Sequence, residues 1–120
     1  MARILVIEDD KTHRRIIREI LLSQGHETEE ASDGAQGIRM QQEGGFDLVI
    51  TDILMPEMEG IETVRELVRL DPAVRIIAIT AYQEGYLEAA KKFGAKAALE
   101  KPFKPDELME VVNSCLEGSG

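Results

Sequence analysis

The chain has 120 residues, which is enough for one domain with its own hydrophobic core but not for two. Its 14 basic and 23 acidic residues give a net charge of −9, which opposes the attraction that dominates nucleic-acid binding, so we expect no direct contact with DNA. No apolar run approaches the ~18 residues of a membrane span, and the first one is too short for a signal peptide, so we expect a cytoplasmic protein.

The first strand and the first helix are strongly patterned. The apolar run from Ile4 to Ile7 predicts a buried strand, and it leads into three consecutive acids, Glu8 to Asp10. Isoleucine and leucine recur at helical spacing between Lys11 and Gln24, which predicts an amphipathic helix. We interpret Arg14 and Arg15 as part of the solvated face of that helix, with contact to a kinase as the alternative.

The second repeat is more polar. The stretch from His26 to Ala31 is extended but carries three glutamates, which places it at an edge of the sheet. Ser32 is the predicted N-cap of a helix that reaches about Gln42. The apolar stretch from Asp47 to Thr51 predicts a third strand, and Asp52 follows it directly.

The second half of the chain continues the alternation. It contains an apolar helical face from Ile61 to Val68, a strand from Arg75 to Thr80, a helix from about Glu84 to Phe93, an alanine-rich strand from Lys96 to Glu100 and a helix from Pro105 to about Leu116. The single cysteine, Cys115, lies among apolar residues, and we interpret it as a buried thiol. We assign residues 1–117 to one domain and 118–120 to a tail or the start of a linker.

Five strand-helix repeats predict a doubly wound α/β fold with a parallel sheet, (βα)5 and flavodoxin-like. The first, third and fourth strands are the most apolar and belong in the middle of the sheet. The polar second strand and the weaker fifth strand belong at its edges. The predicted strand order is therefore 2-1-3-4-5, with the topological switch between the first and third strands.

Polar residues stand at the carboxyl ends of these strands, where such sheets bind ligands. Carboxylates that converge there either have raised pKa values or bind a cation, and an all-oxygen ligand set suits Mg²⁺ or Mn²⁺. With a lysine and a hydroxyl beside them, the group suits a phosphoryl ligand, and the central aspartate is the candidate nucleophile for an acyl phosphate. The residues are Glu8, Asp9, Asp52, Thr80 and Lys101.

Further motifs accompany these residues, and together they make the chain resemble the receiver domain of bacterial response regulators from Arg3 to Leu116. The resemblance implies that a sensor histidine kinase, or a histidine phosphotransfer protein, donates a phosphoryl group to Asp52 in a Mg²⁺-dependent transfer. It also implies that the main-chain carbonyl of Leu54 completes the metal site and that the peptide bond before Pro102 is cis. The matching motifs are Glu8-Asp9, Asp52, Met55-Pro56 with Gly60, Thr80-Ala81 and Lys101-Pro102-Phe103.

The resemblance also implies a switch. Phosphorylation would draw Thr80, Ala81 and Lys101 toward the new group and change the binding of an effector, a fused output domain, or a second copy through the fourth helix, fifth strand and fifth helix. Ala98 stands where the family has its switch aromatic, so the readout uses other groups or is weakly coupled. Tyr82 is a candidate substitute. Apolar side chains at Leu54 and Tyr82 are expected to slow hydrolysis of the phosphoryl group.

Two other classes of function compete with this interpretation. The first is a pseudo-receiver that acts only by protein contact. The second is an aspartyl-phosphate hydrolase, but that type requires a second aspartate two residues after the nucleophile, where Leu54 stands. We therefore expect a phosphoacceptor signalling module and not an enzyme that turns over a free metabolite.

Overall fold

The computed structural model describes residues 2–53, 59–81 and 86–117. Within these ranges five strands alternate with five helices. The strands are β1 (Arg3–Ile7), β2 (Glu27–Ala31), β3 (Leu48–Asp52), β4 (Ile76–Ala81) and β5 (Ala97–Lys101), and the helices are α1 (Lys11–Ser23), α2 (Gly34–Gly44), α3 (Glu59–Leu70), α4 (Tyr86–Lys92) and α5 (Pro105–Leu116).

The five strands form one parallel sheet in the order β2-β1-β3-β4-β5, which confirms the predicted fold class and strand order. The central strands β1, β3 and β4 are buried along almost their whole length, because helices cover both faces of the sheet. Strand β2 alternates between exposed and partly buried residues, as its glutamates predicted for an edge strand.

The core lies in two clusters, one on each face of the sheet. Successive side chains of β1 point to opposite faces of the sheet. Ile4 therefore belongs to the cluster that contains residues of α1 and α5, and Leu5 to the cluster that contains residues of α3 and α4. Cys115 is buried in the cluster beside α5, so its interpretation as a buried thiol is confirmed. In the described ranges no helix is long and apolar enough to cross a membrane.

The prediction that Ser32 caps α2 is wrong. The N-cap is Asp33, whose Oδ1 accepts the main-chain N–H of Gln36 at 2.8 Å. Ser32 instead donates its own N–H and hydroxyl to the Gln36 side-chain oxygen, at 2.8 and 3.1 Å. Aspartate and serine are about equally good N-caps, so residue type alone did not distinguish Asp33 from its neighbour Ser32.

Candidate functional site

Polar side chains from four strands meet at one edge of the sheet. Glu8 directly follows β1, Asp52 and Lys101 are the last residues of β3 and β5, and Thr80 is the penultimate residue of β4. Asp52 therefore belongs to its strand, whereas the sequence had placed it just beyond. Because all strands are parallel, their carboxyl ends lie on the same side of the molecule.

Three carboxylates form an acidic cluster at this edge: Glu8, Asp9 and Asp52. One oxygen from each lies within 4.8 Å of the others. Glu8 and Asp52 are buried, with 1% and 6% of their surface exposed, and Asp9 is exposed. The convergence that the strand ends predicted is thus present in the structure.

Lys101 lies between the two buried carboxylates. Its Nζ donates to Glu8 Oε1 and to Asp52 Oδ2, each at 2.8 Å, and its side chain is 15% exposed. Burial alone would lower the pKa of Lys101, but the hydrogen bonds and charges of Asp52 and Glu8 outweigh it and raise the pKa above its usual value. The ammonium group therefore stays protonated.

Within the acidic cluster, Glu8 has a raised pKa. Burial raises its pKa from 4.5 to about 7, and the neighbouring Asp52 adds to the increase. Lys101 and the Asp10 N–H, which donates to Glu8 Oε2 at 3.0 Å, oppose the increase without cancelling it. A second cation at this position would favour the ionised carboxylate further.

The donor set fits a hard divalent cation. All three members of the acidic cluster offer carboxylate oxygens, and neither cysteine nor histidine belongs to it, which suits Mg²⁺ or Mn²⁺ and not zinc. Burial is the main cause of the raised pKa of Glu8, with a smaller contribution from Asp52, and a cation bound here would favour the ionised carboxylate. Leu54, predicted to add a main-chain carbonyl, lies outside the described residues, as do Met55, Pro56 and Tyr82.

Of the predicted switch residues within the described ranges, Thr80, Ala81 and Lys101 lie at the carboxyl ends of β4 and β5, whereas Ala98 lies three residues before Lys101 in β5. Thr80 is fully buried, and its hydroxyl donates to the main-chain oxygen of Ala81 at 2.9 Å, while Ala81 itself is exposed. The Lys101-Pro102 peptide bond is cis. Ala98 is half-buried and packs against the core cluster beneath α3 and α4, away from the carboxylates.

Two residues near the site have roles that the sequence analysis missed. Asp10 caps α1: its Oδ1 accepts the N–H groups of Thr12 and His13 at 2.9 and 3.1 Å, and these bonds lower the pKa of its carboxyl group. An aspartate directly before a helix was a readable signal. Arg14 is not part of a solvated face, because its side chain is only 16% exposed and bonds to Glu8 and Glu30.

An apolar groove of about 460 Å³ opens next to Lys101. It runs between α1 and the segment after β5, and its lining includes His13, Ile16 and Phe103. Ile16 is 49% exposed and so presents apolar surface to solvent at the groove. His13 is exposed, and its Nδ1 lies 3.3 Å from Lys101 Nζ.

Known proteins are similar to this chain in sequence and in fold. The family model described as the response regulator receiver domain matches residues 4–113. The chain is 39% identical over 116 residues to a chemotaxis protein CheY of Bacillus subtilis, covering 95% of this chain and 97% of that protein. It is 37% identical over 115 residues to the transcriptional regulatory protein ZraR of Escherichia coli, covering 94% of this chain but only 26% of that longer protein.

A solved structure agrees with these relatives. The response regulator protein TrrA of Thermotoga maritima, in complex with Mg²⁺ and BeF, superposes with a TM-score of 0.88 at 34% identity, over 97% of this chain and 100% of that one.

Proposed function

The chain belongs to the response regulator receiver domain family and is a phosphoacceptor module of two-component signalling, and from this premise we propose that Asp52 is the residue that accepts the phosphoryl group. The observation that carries the proposal is the position of Asp52: it is buried at the end of a central strand, inside the acidic cluster, with Lys101 on its Oδ2. An aspartate held in this way is fixed in direction, as an attacking nucleophile must be.

In the transfer, a carboxylate oxygen of Asp52 attacks phosphorus. The bond between phosphorus and the imidazole nitrogen of the donor phosphohistidine breaks, and its electron pair stays on that nitrogen, which takes up a proton. Glu8, Asp9 and Asp52, with the carbonyl of Leu54, are the ligands that we assign to Mg²⁺ or Mn²⁺. When bound, the ion supplies positive charge that offsets the charges of the carboxylates and the phosphoryl oxygens.

Lys101 and Thr80 are the groups that we expect to respond. A phosphoryl group on Asp52 carries about 1.5 to 2 negative charges and brings new acceptor oxygens. Lys101 already donates to Asp52, so it needs little movement to donate to a phosphoryl oxygen. Thr80 would have to release the Ala81 carbonyl before its hydroxyl could do so, which couples phosphorylation to the exposed main chain at the end of β4.

A receiver domain implies a histidine kinase as a partner and an output function. We propose that a sensor kinase or a histidine phosphotransfer protein donates the group, approaching over the apolar groove beside Lys101. The output is an effector protein, a fused output domain, or a dimer through α4, β5 and α5. A fused domain is consistent with the longer relative ZraR, of which this chain covers only 26%. We propose that this exchange takes place in the cytoplasm and that it requires no turnover of a free metabolite.

The proposal is tested by incubating the protein with acetyl phosphate and Mg²⁺ and measuring its intact mass. We expect the mass of one phosphoryl group to be added, and we expect the addition to disappear in Asp52→Asn or when Mg²⁺ is chelated. Asp106→Asn, at an exposed aspartate in the first turn of α5, is the matched control and should load like the wild type. If no adduct forms on the wild type, or an equal one forms on Asp52→Asn, Asp52 is not the acceptor, and the contact-only alternative gains support.

A further inference from the structure

We propose that Arg14 is a positioning residue of the acidic cluster, which holds the peptide between Glu8 and Asp9 in place and is itself fixed by Glu30 of the edge strand. This inference rests on the proposed function, since the cluster is assumed to bind the cation. Its evidence is separate, because it comes from contacts of α1 and β2 that the transfer itself does not use.

Arg14 joins three parts of the fold. Its Nη1 donates to the main-chain oxygen of Glu8 at 2.8 Å, and its Nε donates to Glu30 Oε1 at 2.9 Å. The second oxygen of Glu30 lies 3.4 Å from Arg18 Nε, one turn further along α1. The Glu30 carboxylate therefore holds one edge of the Arg14 guanidinium, and the other edge binds the Glu8 carbonyl just beyond β1.

The Glu8 carbonyl lies just beyond β1, at the point where the chain leaves the sheet. The Glu8 N–H still donates to the Ala31 oxygen at 3.0 Å, which continues the pairing with β2 by one bond. Strand β2 ends at Ala31, so the next carbonyl of the ladder needs a partner from elsewhere, and a main-chain oxygen near the protein interior is costly to leave unpaired. Arg14 supplies that partner.

The carbonyl of Glu8 and the nitrogen of Asp9 belong to one planar peptide unit. Holding the oxygen therefore sets the direction in which the chain leaves β1 and brings Asp9 toward Asp52. The Glu8 carboxylate is fixed independently, by Lys101 on Oε1 and by the Asp10 N–H on Oε2. Of the two consecutive acids, Asp9 is the exposed one, and its placement depends most on the peptide that Arg14 holds.

The guanidinium is suited to this role and an ammonium group is not. Arginine presents its N–H donors in a rigid planar fork, so one side chain can serve Glu30 and the Glu8 carbonyl with fixed geometry. Lysine would keep the charge but not the fork. Partners that orient metal ligands in this way typically change metal affinity by 10 to 100-fold when removed.

The test measures the affinity of the protein for Mn²⁺ in the absence of a phosphodonor. The concentration of free Mn²⁺ is measured by electron paramagnetic resonance. We expect Arg14→Ala to weaken Mn²⁺ binding about tenfold, and Arg14→Lys, which keeps the charge but not the planar fork, to weaken it at least as much. Charge alone predicts the opposite sign, because removing a cation near three carboxylates should strengthen binding of another cation. Arg15→Ala, at the exposed neighbour on the same helix, removes the same charge and is the matched control.

The proposal is overturned if Arg14→Ala binds Mn²⁺ as tightly as Arg15→Ala, or more tightly. If Arg14→Ala does not fold, Glu30→Ala decides, since it releases the guanidinium while Arg14 remains: unchanged Mn²⁺ affinity then contradicts the proposal. A positioning role also predicts that saturating Mg²⁺ restores the loading of Arg14→Ala from acetyl phosphate. If the wild type binds Mn²⁺ but takes up no phosphoryl group, the proposed function fails, and the comparison of affinities still decides on Arg14.

Discussion

Lys101 offsets only part of the negative charge of Glu8 and Asp52, which are buried at the strand ends. It donates to both buried carboxylates of the acidic cluster, and yet burial and the presence of Asp52 still hold the pKa of Glu8 near 7. Buried charges of one sign remain costly until a cation or a proton offsets them. In the metal-free protein, Glu8 therefore titrates near pH 7 at the position where we propose that the ion binds.

This equilibrium predicts how stability depends on pH when Mg²⁺ is chelated. Folded Glu8 has a pKa of about 7 against 4.5 for the ordinary group, so between these values the folded state binds more protons than the unfolded state. The free energy of unfolding should therefore fall, on account of this group, as the pH rises through that interval. Chemical denaturation of wild type and Glu8→Gln, which cannot titrate, measures the difference.

We expect the wild type to lose stability relative to Glu8→Gln as the pH is raised from 4.5 to about 7. A constant difference between the two proteins over this interval would show that burial does not raise the pKa of Glu8 as described.

The residues of the candidate site could be predicted from the sequence, but the residues that support them only in part. Glu8, Asp52 and Lys101 stand at the ends of strands that the sequence predicted, and the parallel topology brings them together. Arg14 looked solvated because α1 is amphipathic and carries charges on its outer side. Its burial depends on Glu30, a residue of the edge strand whose position relative to α1 is a tertiary fact.

At the scale of elements, the close contact between the start of α3 and the end of β3 helps to fix the main chain next to Asp52. Gly60 lies in the first turn of α3 against Ile53, which directly follows Asp52. A Cβ at position 60 would lie 2.1 Å from the Cα of Ile53 and 2.4 Å from its carbonyl carbon and oxygen. Only glycine allows this approach, because the atoms in the way are main chain and cannot rotate aside.

Gly60→Ala should therefore destabilise the protein by about 2 kcal/mol, since the start of α3 must move away from the end of β3. Gly44→Ala is the matched control: it also lies in a helix, but the atoms nearest to its Cβ would belong to the flexible Arg3 side chain, the first at 3.1 Å. Denaturant unfolding of both variants provides the comparison. Equal stabilities would contradict the close approach of α3 to Ile53.

The readout of phosphorylation is also a question of elements. Strand β5 carries Ala98 three residues before Lys101, with Ala98 paired to Ala78 of β4. The methyl group of Ala98 packs into the core cluster and has no rotamers to exchange, so no side-chain rotation at this position can signal. Whether Tyr82 substitutes for it stays a prediction, because that residue lies outside the described ranges.

At the scale of the whole molecule, the fold could be predicted because the polarity of whole strands and the alternation of side chains within a strand indicate the same sheet. The apolar central strands and the polar edge strand fix the sheet order, and the alternation of side chains along β1 serves both core clusters. The ends of elements were less certain. Both β3 and β5 extend one residue beyond their predicted limits, because pairing with neighbouring strands carries Asp52 and Lys101 into the sheet. The division of the chain at residue 117 stays a prediction.

The most direct measurement of whether Asp52 carries the phosphoryl group is chemical mapping of the acyl phosphate. Protein loaded from acetyl phosphate in the presence of Mg²⁺ is treated with borohydride, which reduces an aspartyl phosphate to homoserine, and is then digested and sequenced by mass spectrometry. We predict homoserine at position 52 and at no other aspartate. Homoserine at Asp9 or Asp10, or none in a protein that has gained the mass of a phosphoryl group, would contradict the assignment of Asp52 as the acceptor.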